Sequence, residues 1–289
     1  AQAASLFLVQ GRFLIASRMG STPRRLVAEA SMDAVLDRIG GALWGLYIGD
    51  ALAMPTHWFY GGKRQVESTY GGQLQGYVKP VAELPGSIMN LSNTGGGGRG
   101  SDSGDIIGRV INHGKKQYWT ARGSYHYHCT LDAGENTLEA QLVRLGVRSI
   151  AEARGQFSAA DLRRRYIEFM TTPGTHNDCY ASTCHRMFFA NLKKGTPPES
   201  CPDNDGHNVD TIDGISMTVP VVLAGFMKKP LPEIQREAAE CAGVTRASRS
   251  LQEYCGKYAD LLHRALAGEK VSDVLGGKSQ FRGSDPVTA

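Results

Sequence analysis

The chain lacks several things that would have named its class at once. Nowhere in its 289 residues is there a run approaching the roughly 18 uninterrupted apolar residues that a spanning helix needs, so no membrane span is expected. A dominant charge sign is missing too: 32 Lys and Arg face 28 Asp and Glu, a net of +4. The basic residues fall as pairs or a triplet (Lys115-Lys116, Arg163-Arg164-Arg165, Lys193-Lys194, Lys228-Lys229) without an aromatic-laced stripe, which argues against nucleic acid as a partner. No Gly-x-Ser-x-Gly elbow occurs, and Cys184 and His185, neighbours on one predicted helix, point apart, so no activated nucleophile is evident. Sustained apolar-polar alternation between hairpin turns is absent, which excludes a sheet-based core. Six cysteines form no regular framework in a chain long enough to fold without staples; they read as reduced thiols of an intracellular protein.

What is present is glycine and helical periodicity. The 35 glycines are about 12% of the chain against an average near 7%, and the excess lies between Gly40 and Gly108. Residues 1–31 carry Arg12, Arg18, Arg24 and Arg25, four serines and one acid, Glu29; this is the composition of a mitochondrial or other organelle transit segment, or equally of an extension outside the fold. From Ser31 the pattern turns helical, with Val35, Ile39, Leu43, Leu46 and Tyr47 on one face to about Leu52. Residues 56–100 lack periodicity and predict a long Gly-rich loop. Further helices are predicted over Asp105 to Asn112, Gly134 to Ile150, Ser158 to Thr171, Tyr180 to Leu192, a continuous Asp210 to Phe226, Pro232 to Ala242, and a final stripe from Leu251 to Leu266 closed by Gly268. The expected fold is a single compact all-α domain over 32–275, with a flexible tail at 276–289.

Four constellations carry candidate chemistry. In the first helix Gly41, Gly45, Gly49 and Ala53 recur every four residues, a spacing that lets another helix pack close. Asp50 does not fit that pattern: a carboxylate on such a face needs a partner, backbone donors or a cavity. Next, Glu135, Asn136 and Thr137 set three oxygen side chains at a predicted helix start, which suits Mg²⁺ or Mn²⁺ and equally suits capping. Just upstream, His126, His128 and Cys129 suggest zinc only weakly, because no matching pair follows at finger-like spacing. The third, from Asp203 to Asp213, holds four acids and His207 in eleven residues; turn chemistry accounts for the first acids, while Asp210 and Asp213, one turn apart, are candidate ligands. The fourth is the run from Gly95 to Gly98 with Arg99, whose backbone amides suit a phosphate cradle or a mobile hinge; it has no Gly-Lys-Ser/Thr ending, which disfavours a nucleotide triphosphatase.

Gly49-Asp50-Ala51-Leu52 with Pro55, after a small-residue helix, resembles the opening signature of the ADP-ribosylglycohydrolase family, and the likeness extends over about residues 32–268. The resemblance implies an all-α fold, two Mg²⁺ or Mn²⁺ ions held between helices, and release of ADP-ribose from modified side chains or small molecules. Gly134-Glu135-Asn136-Thr137 is similar to the family's Thr-Asp-Asp-Thr metal motif, with a glycine and an amide at two ligand positions. Gly214 to Pro220 resembles the family's Met-Arg-Val-Ala-Pro helix, and Val244-Thr245-Arg246 its Thr-His element. His57 stands where the family carries an acid. Asn208-Val209-Asp210-Thr211 looks like the second metal motif but precedes the Thr-His element instead of following it.

The expected site therefore has Glu135 and Asp210 as catalytic carboxylates. Glu135, Asn136, Thr137, Asp210 and Asp213 would hold at most one Mg²⁺ or Mn²⁺, and Asp50, His57, Gly97, Gly98, Arg99, Tyr125 and His207 would hold the ligand. The expected ligand is an ADP-ribose-type small molecule or an ADP-ribosylated side chain, with hydrolysis weakened or lost. Two rival readings stay open: a non-catalytic subunit of a larger protein assembly on the same fold, and an ADP-ribose-binding protein that does not cleave.

Overall fold

The spacing read at Val35, Ile39 and Leu43 folds as α1, Met32–Ala53, with Asp33 in its first turn and Val35, Leu43 and Ala51 buried. The computed structural model describes residues 32–92, 105–119, 123–206 and 209–275. The expectations for 1–31, Gly97, Gly98, Arg99, His207 and the 276–289 tail lie outside those residues.

The order continues with α2 (Gly62–Tyr70), α3 (Leu138–Glu152), α4 (Ala159–Thr171), α5 (Thr183–Lys193), α6 (Ile212–Ser216), α7 (Val219–Gly225), α8 (Leu231–Ala242), α9 (Arg249–Ala267) and α10 (Val271–Val274). Among the described residues there is no strand, only three isolated bridges, so the all-α expectation holds. No helix among them is long and apolar enough to cross a membrane. All six cysteines are free thiols.

Capping chemistry fixes several boundaries. Ser158 accepts a hydrogen bond from Asp161 N–H at 3.2 Å at the start of α4, and Ser248 accepts one from Leu251 N–H at 3.1 Å at the start of α9. Gly268, at φ 102°, ends α9 in the left-handed conformation that a side chain resists. One core gathers Phe188, Phe189, Tyr166, Leu142 and Trp119; a second gathers Val35, Leu43, Val222, Ile234 and Cys255. Helix α3 serves both, giving Leu142 to the first and Val147 to the second.

Four expectations need correction. Residues 105–112 are not a helix: Gly108 (φ 93°) and Asn112 (φ 47°) sit in left-handed backbone, and Gly108 N–H donates to Ile111 C=O at 2.8 Å to close a turn. The apolar stretch 210–226 is two helices, because Pro220 has no N–H to continue α6 into α7. Helix α2 lies inside the segment read as structureless, and it buries no residue, so it leaves no apolar period to find. Finally, a Cβ built on Gly41, Gly45 or Gly49 meets nothing within 4 Å, so that stripe is not a close helix contact; Trp44, Ile48 and Leu52 beside it are more than 40% exposed.

Candidate functional site

Two loops meet at the amino end of α3: residues 123–137, carrying His126, Tyr127 and His128, and residues 172–182, carrying Asp178 and Tyr180. Helix α3 begins one turn later than predicted, at Leu138, with Thr137 as its N-cap and Gly134 at φ 81° just before it. Its first amides are unpaired within the helix and favour negative charge. Two carboxylates take them. Asp178 Oδ2 accepts from Leu138 N–H at 2.9 Å, and Asp50 Oδ2, arriving from α1, accepts from Thr137 N–H at 2.8 Å.

Asp50 is then satisfied from all sides: Thr137 Oγ1 donates to Oδ1 at 2.6 Å, and Asn136 Nδ2 donates to Oδ2 at 2.9 Å and to Tyr47 C=O at 2.7 Å. Asp178, 1% exposed, also accepts from Tyr180 N–H at 3.1 Å, and His128 Nδ1 lies 2.9 and 3.0 Å from its two oxygens. Burial opposes charge on Asp178; His128 and the two backbone donors outweigh it and hold the carboxyl below its usual range. Beyond His128, its Nε2 lies 2.7 Å from His57 Nδ1.

A second polar group continues along α3. Glu139 Oε1 accepts from Ser182 Oγ and pairs with His185 Nε2, both at 2.9 Å, and His185 Nδ1 lies 2.7 Å from the Tyr166 hydroxyl. The fully buried Arg246 guanidinium donates to Asp213 and sits 3.8 Å from Glu139 Oε2. Burial works against charge on both cationic groups. Asp213, Cys184, Glu139 and Tyr166 together outweigh it for Arg246, and the Cys184, Tyr166 and Glu139 groups do so for His185, so both pKa values rise.

The structure brings Asp50 together with Asn136 and Thr137, and His57 into the same polar cluster through His128. It does not bring in the others. Glu135 is turned outward, accepting from Asp132 N–H at 2.6 Å and Asn177 Nδ2 at 3.2 Å. Asp210 is exposed and accepts from Ser250 Oγ at 2.6 Å near the start of α9. Tyr125 stacks edge-on against Tyr118 at 5.3 Å and touches none of the cluster. Asp178 and Glu139 carry no periodic or motif signal in the sequence, and His185 enters the sequence reading only beside Cys184, as a rejected nucleophile pair. His128 was weighed only for zinc, and Cys129 shares its thiol with Cys179 at 3.8 Å instead.

A model of the ADP-ribosylglycohydrolase family matches residues 31–288. The chain belongs to that family. No curated protein and no solved structure matches it. ADP-ribosylglycohydrolases are generally metal-dependent, yet among the described residues no three His, Cys, Asp or Glu are grouped to hold a metal ion. The donors are already engaged: both Asp50 oxygens accept protein hydrogen bonds, Asn136 presents its amide nitrogen to them, and Asp213 is neutralised by Arg246. The residues present do not fit the family's dinuclear site.

Proposed function

We propose that this ADP-ribosylglycohydrolase-family protein binds an ADP-ribose-type molecule or an ADP-ribosylated side chain, and that metal-assisted hydrolysis is weakened or lost in it. One observation carries the reading: the carboxylates in and beside this cluster are tied to protein partners, Asp50 to Asn136 and Thr137, Asp178 to His128 and Leu138, and Asp213 to Arg246. Two divalent cations bring four positive charges and need clustered free carboxylates to balance them. Asn136 lacks the charge of the acid it replaces, and Arg246 supplies a permanent cation of its own. Trp58 beside His57, with the exposed Tyr60 edge-on against it, is suited to stack on an adenine or flank a ribose.

Calorimetric titration of ADP-ribose, with and without Mg²⁺, tests this. Binding with the same affinity in both conditions is expected; binding that requires Mg²⁺ would reject it. A second reading, a non-catalytic subunit of a protein assembly, is favoured by the exposed stripe Trp44, Ile48 and Leu52 on α1.

A further inference from the structure

The chain Asp178, His128, His57 has a fixed direction. Asp178 is an acceptor on every side, taking Leu138 and Tyr180 N–H groups, so the proton in its bond to His128 belongs to His128 Nδ1. In the neutral pair His128 Nε2 is then an acceptor, and the proton between the rings sits on His57 Nδ1. This leaves a lone pair on His57 Nε2, which has no hydrogen-bond partner among the described residues and is not among their buried unpaired atoms. The open end of a buried carboxylate-imidazole-imidazole chain is therefore a base.

The surroundings hold that end in place. Trp58, the next residue, has φ 64°, a conformation a bulky side chain adopts only when its neighbours enforce it. Its ring stacks on Tyr127 at 5.0 Å and 23°, and the Tyr127 hydroxyl accepts from Ile88 N–H at 3.1 Å. Tyr180 meets both imidazoles edge-on, at 5.8 and 5.9 Å.

We infer that His57 is the proton-transfer residue of this site, and that Asp178 and His128 position it to activate water against an ADP-ribosyl group without a metal ion. The inference rests on the proposed ADP-ribose ligand. In the step, a water O–H bond breaks and its proton goes to His57 Nε2, while the water oxygen forms a bond to the anomeric carbon. The bond from that carbon to the leaving nitrogen or oxygen breaks, its electron pair departs with the leaving atom, and that atom takes a proton from solvent. The Nδ1 proton of His57 passes to His128 Nε2, so the positive charge comes to rest beside Asp178.

Electrostatics favours that resting place. Burial, then His128 and His126, hold His57 well below the ordinary histidine range, with Glu139 opposing. Burial also opposes charge on His128, but Asp178, and after it Asp50, raise its pKa. The titratable groups acting on His57 are thus His128, His126 and Glu139, with the Tyr127 and Tyr180 rings against it, while Asp178 and Asp50 act on His128 behind it. A proton taken at the open nitrogen is drawn inward.

The test uses the full chain in EDTA, with ADP-ribosyl-arginine, ADP-ribosyl-serine and O-acetyl-ADP-ribose as substrates, following ADP-ribose release from pH 5 to 9. We expect release from at least one substrate, with a rate that rises with pH to a plateau. His57→Asn keeps a donor toward His128 but has no Nε2; it should lower the rate about 10²- to 10⁴-fold and flatten the profile, while calorimetric ADP-ribose affinity stays within about threefold. His128→Asn keeps a donor toward Asp178 but cannot store the proton, so it should move the rising limb to lower pH. A merely structural role would leave that limb in place. ADP-ribose binding without metal-free release, or unchanged release by His57→Asn, overturns this inference and leaves the proposed function standing. Absence of ADP-ribose binding by the wild-type chain overturns the proposed function itself.

Discussion

Asp50, near the end of the first helix, and Thr137, the cap of the helix that starts 87 residues later, hold each other twice: hydroxyl to Oδ1 at 2.6 Å and backbone N–H to Oδ2 at 2.8 Å. The first prediction follows from the donors converging there. Asp50→Asn places an NH₂ group against the Asn136 and Thr137 donors, so at least one charge-assisted bond becomes a donor-donor contact. Each such bond contributes roughly 1.5–3 kcal/mol, and the substitution should destabilise by about 2–4 kcal/mol in urea unfolding at pH 7. A loss below about 0.5 kcal/mol would mean that Asp50 does not hold α1 against α3.

Arg246 supplies the second. Its guanidinium is fully buried between Asp213 and Glu139, so Arg246→Ala leaves Asp213 without a counter-charge and Glu139 with His185 alone, and should cost about 3–5 kcal/mol. Arg246→Ala combined with Asp213→Ala should cost clearly less than the sum of the single changes. An additive double-mutant cycle would show that the pair is not coupled.

Stability should peak near neutral pH. Burial, and after it the charge on His128, pull His126 down to about 4, below its unfolded value near 6.5. Its contribution is complete above 6.5 and is lost as pH falls toward 4; that interval is worth roughly 3 kcal/mol at 1.4 kcal/mol per pH unit. Asp161 follows at lower pH. Burial alone would raise it, but Ser149, Arg164 and Arg165 hold it at about 2, so its share is lost as pH falls from about 4 through 2. His185 has the opposite sign: its pKa is raised, so its contribution is present below 6.5 and fades as pH climbs through the folded value. Urea midpoints from pH 3 to 9 should trace a maximum near 6.5–7, and His126→Gln should flatten the stretch from 6.5 to 4.

The helices and the site were legible to different degrees, for physical reasons. Long amphipathic segments with caps, such as Ala159–Thr171 behind Ser158 and Arg249–Ala267 before Gly268, write their period and their ends into the sequence. The exposed α2 has no period to write, and the Gly108 and Asn112 turn hides behind an apolar composition. At the site, the Asp50 cluster was readable because a carboxylate on a glycine-rich helix demands partners. Asp178 was not, because its importance comes from a loop folding back 40 residues onto Leu138, which no local pattern records. Glu135 misled for the complementary reason: acids before a helix are ordinary, and this one serves Asp132 and Asn177.

Thiol reactivity should single out one residue. Of the six cysteines only Cys129 is not buried, and the hydrogen bond it shares with Cys179 lowers its pKa against the opposing effect of burial. Iodoacetamide under native conditions should label one site, mapping to the peptide that contains Cys129, and all six in urea. Native labelling of several thiols would contradict the packing described for the other five.

Magnesium should matter little to the fold. A site with a millimolar dissociation constant adds about 1.4 kcal/mol at 10 mM Mg²⁺ by mass action, and a micromolar site adds about 5 kcal/mol. For a domain of this size 1 kcal/mol moves the melting temperature by roughly 2–4 °C, so the two cases lie near 4 °C and well above 10 °C. With Asp50 committed to Thr137, Asp213 to Arg246 and Glu135 to the Asp132 amide, no cluster of free carboxylates remains among the described residues to hold a cation tightly. Melting in EDTA and in 10 mM Mg²⁺ should therefore differ by no more than about 4–5 °C. The Arg246→Ala variant sharpens the comparison: removing the resident cation frees Asp213 and Glu139 together, and only in that variant should Mg²⁺ recover part of the lost stability. A shift beyond about 10 °C in the wild-type chain would show that these carboxylates exchange their protein partners for metal, and that the family's dinuclear chemistry is retained.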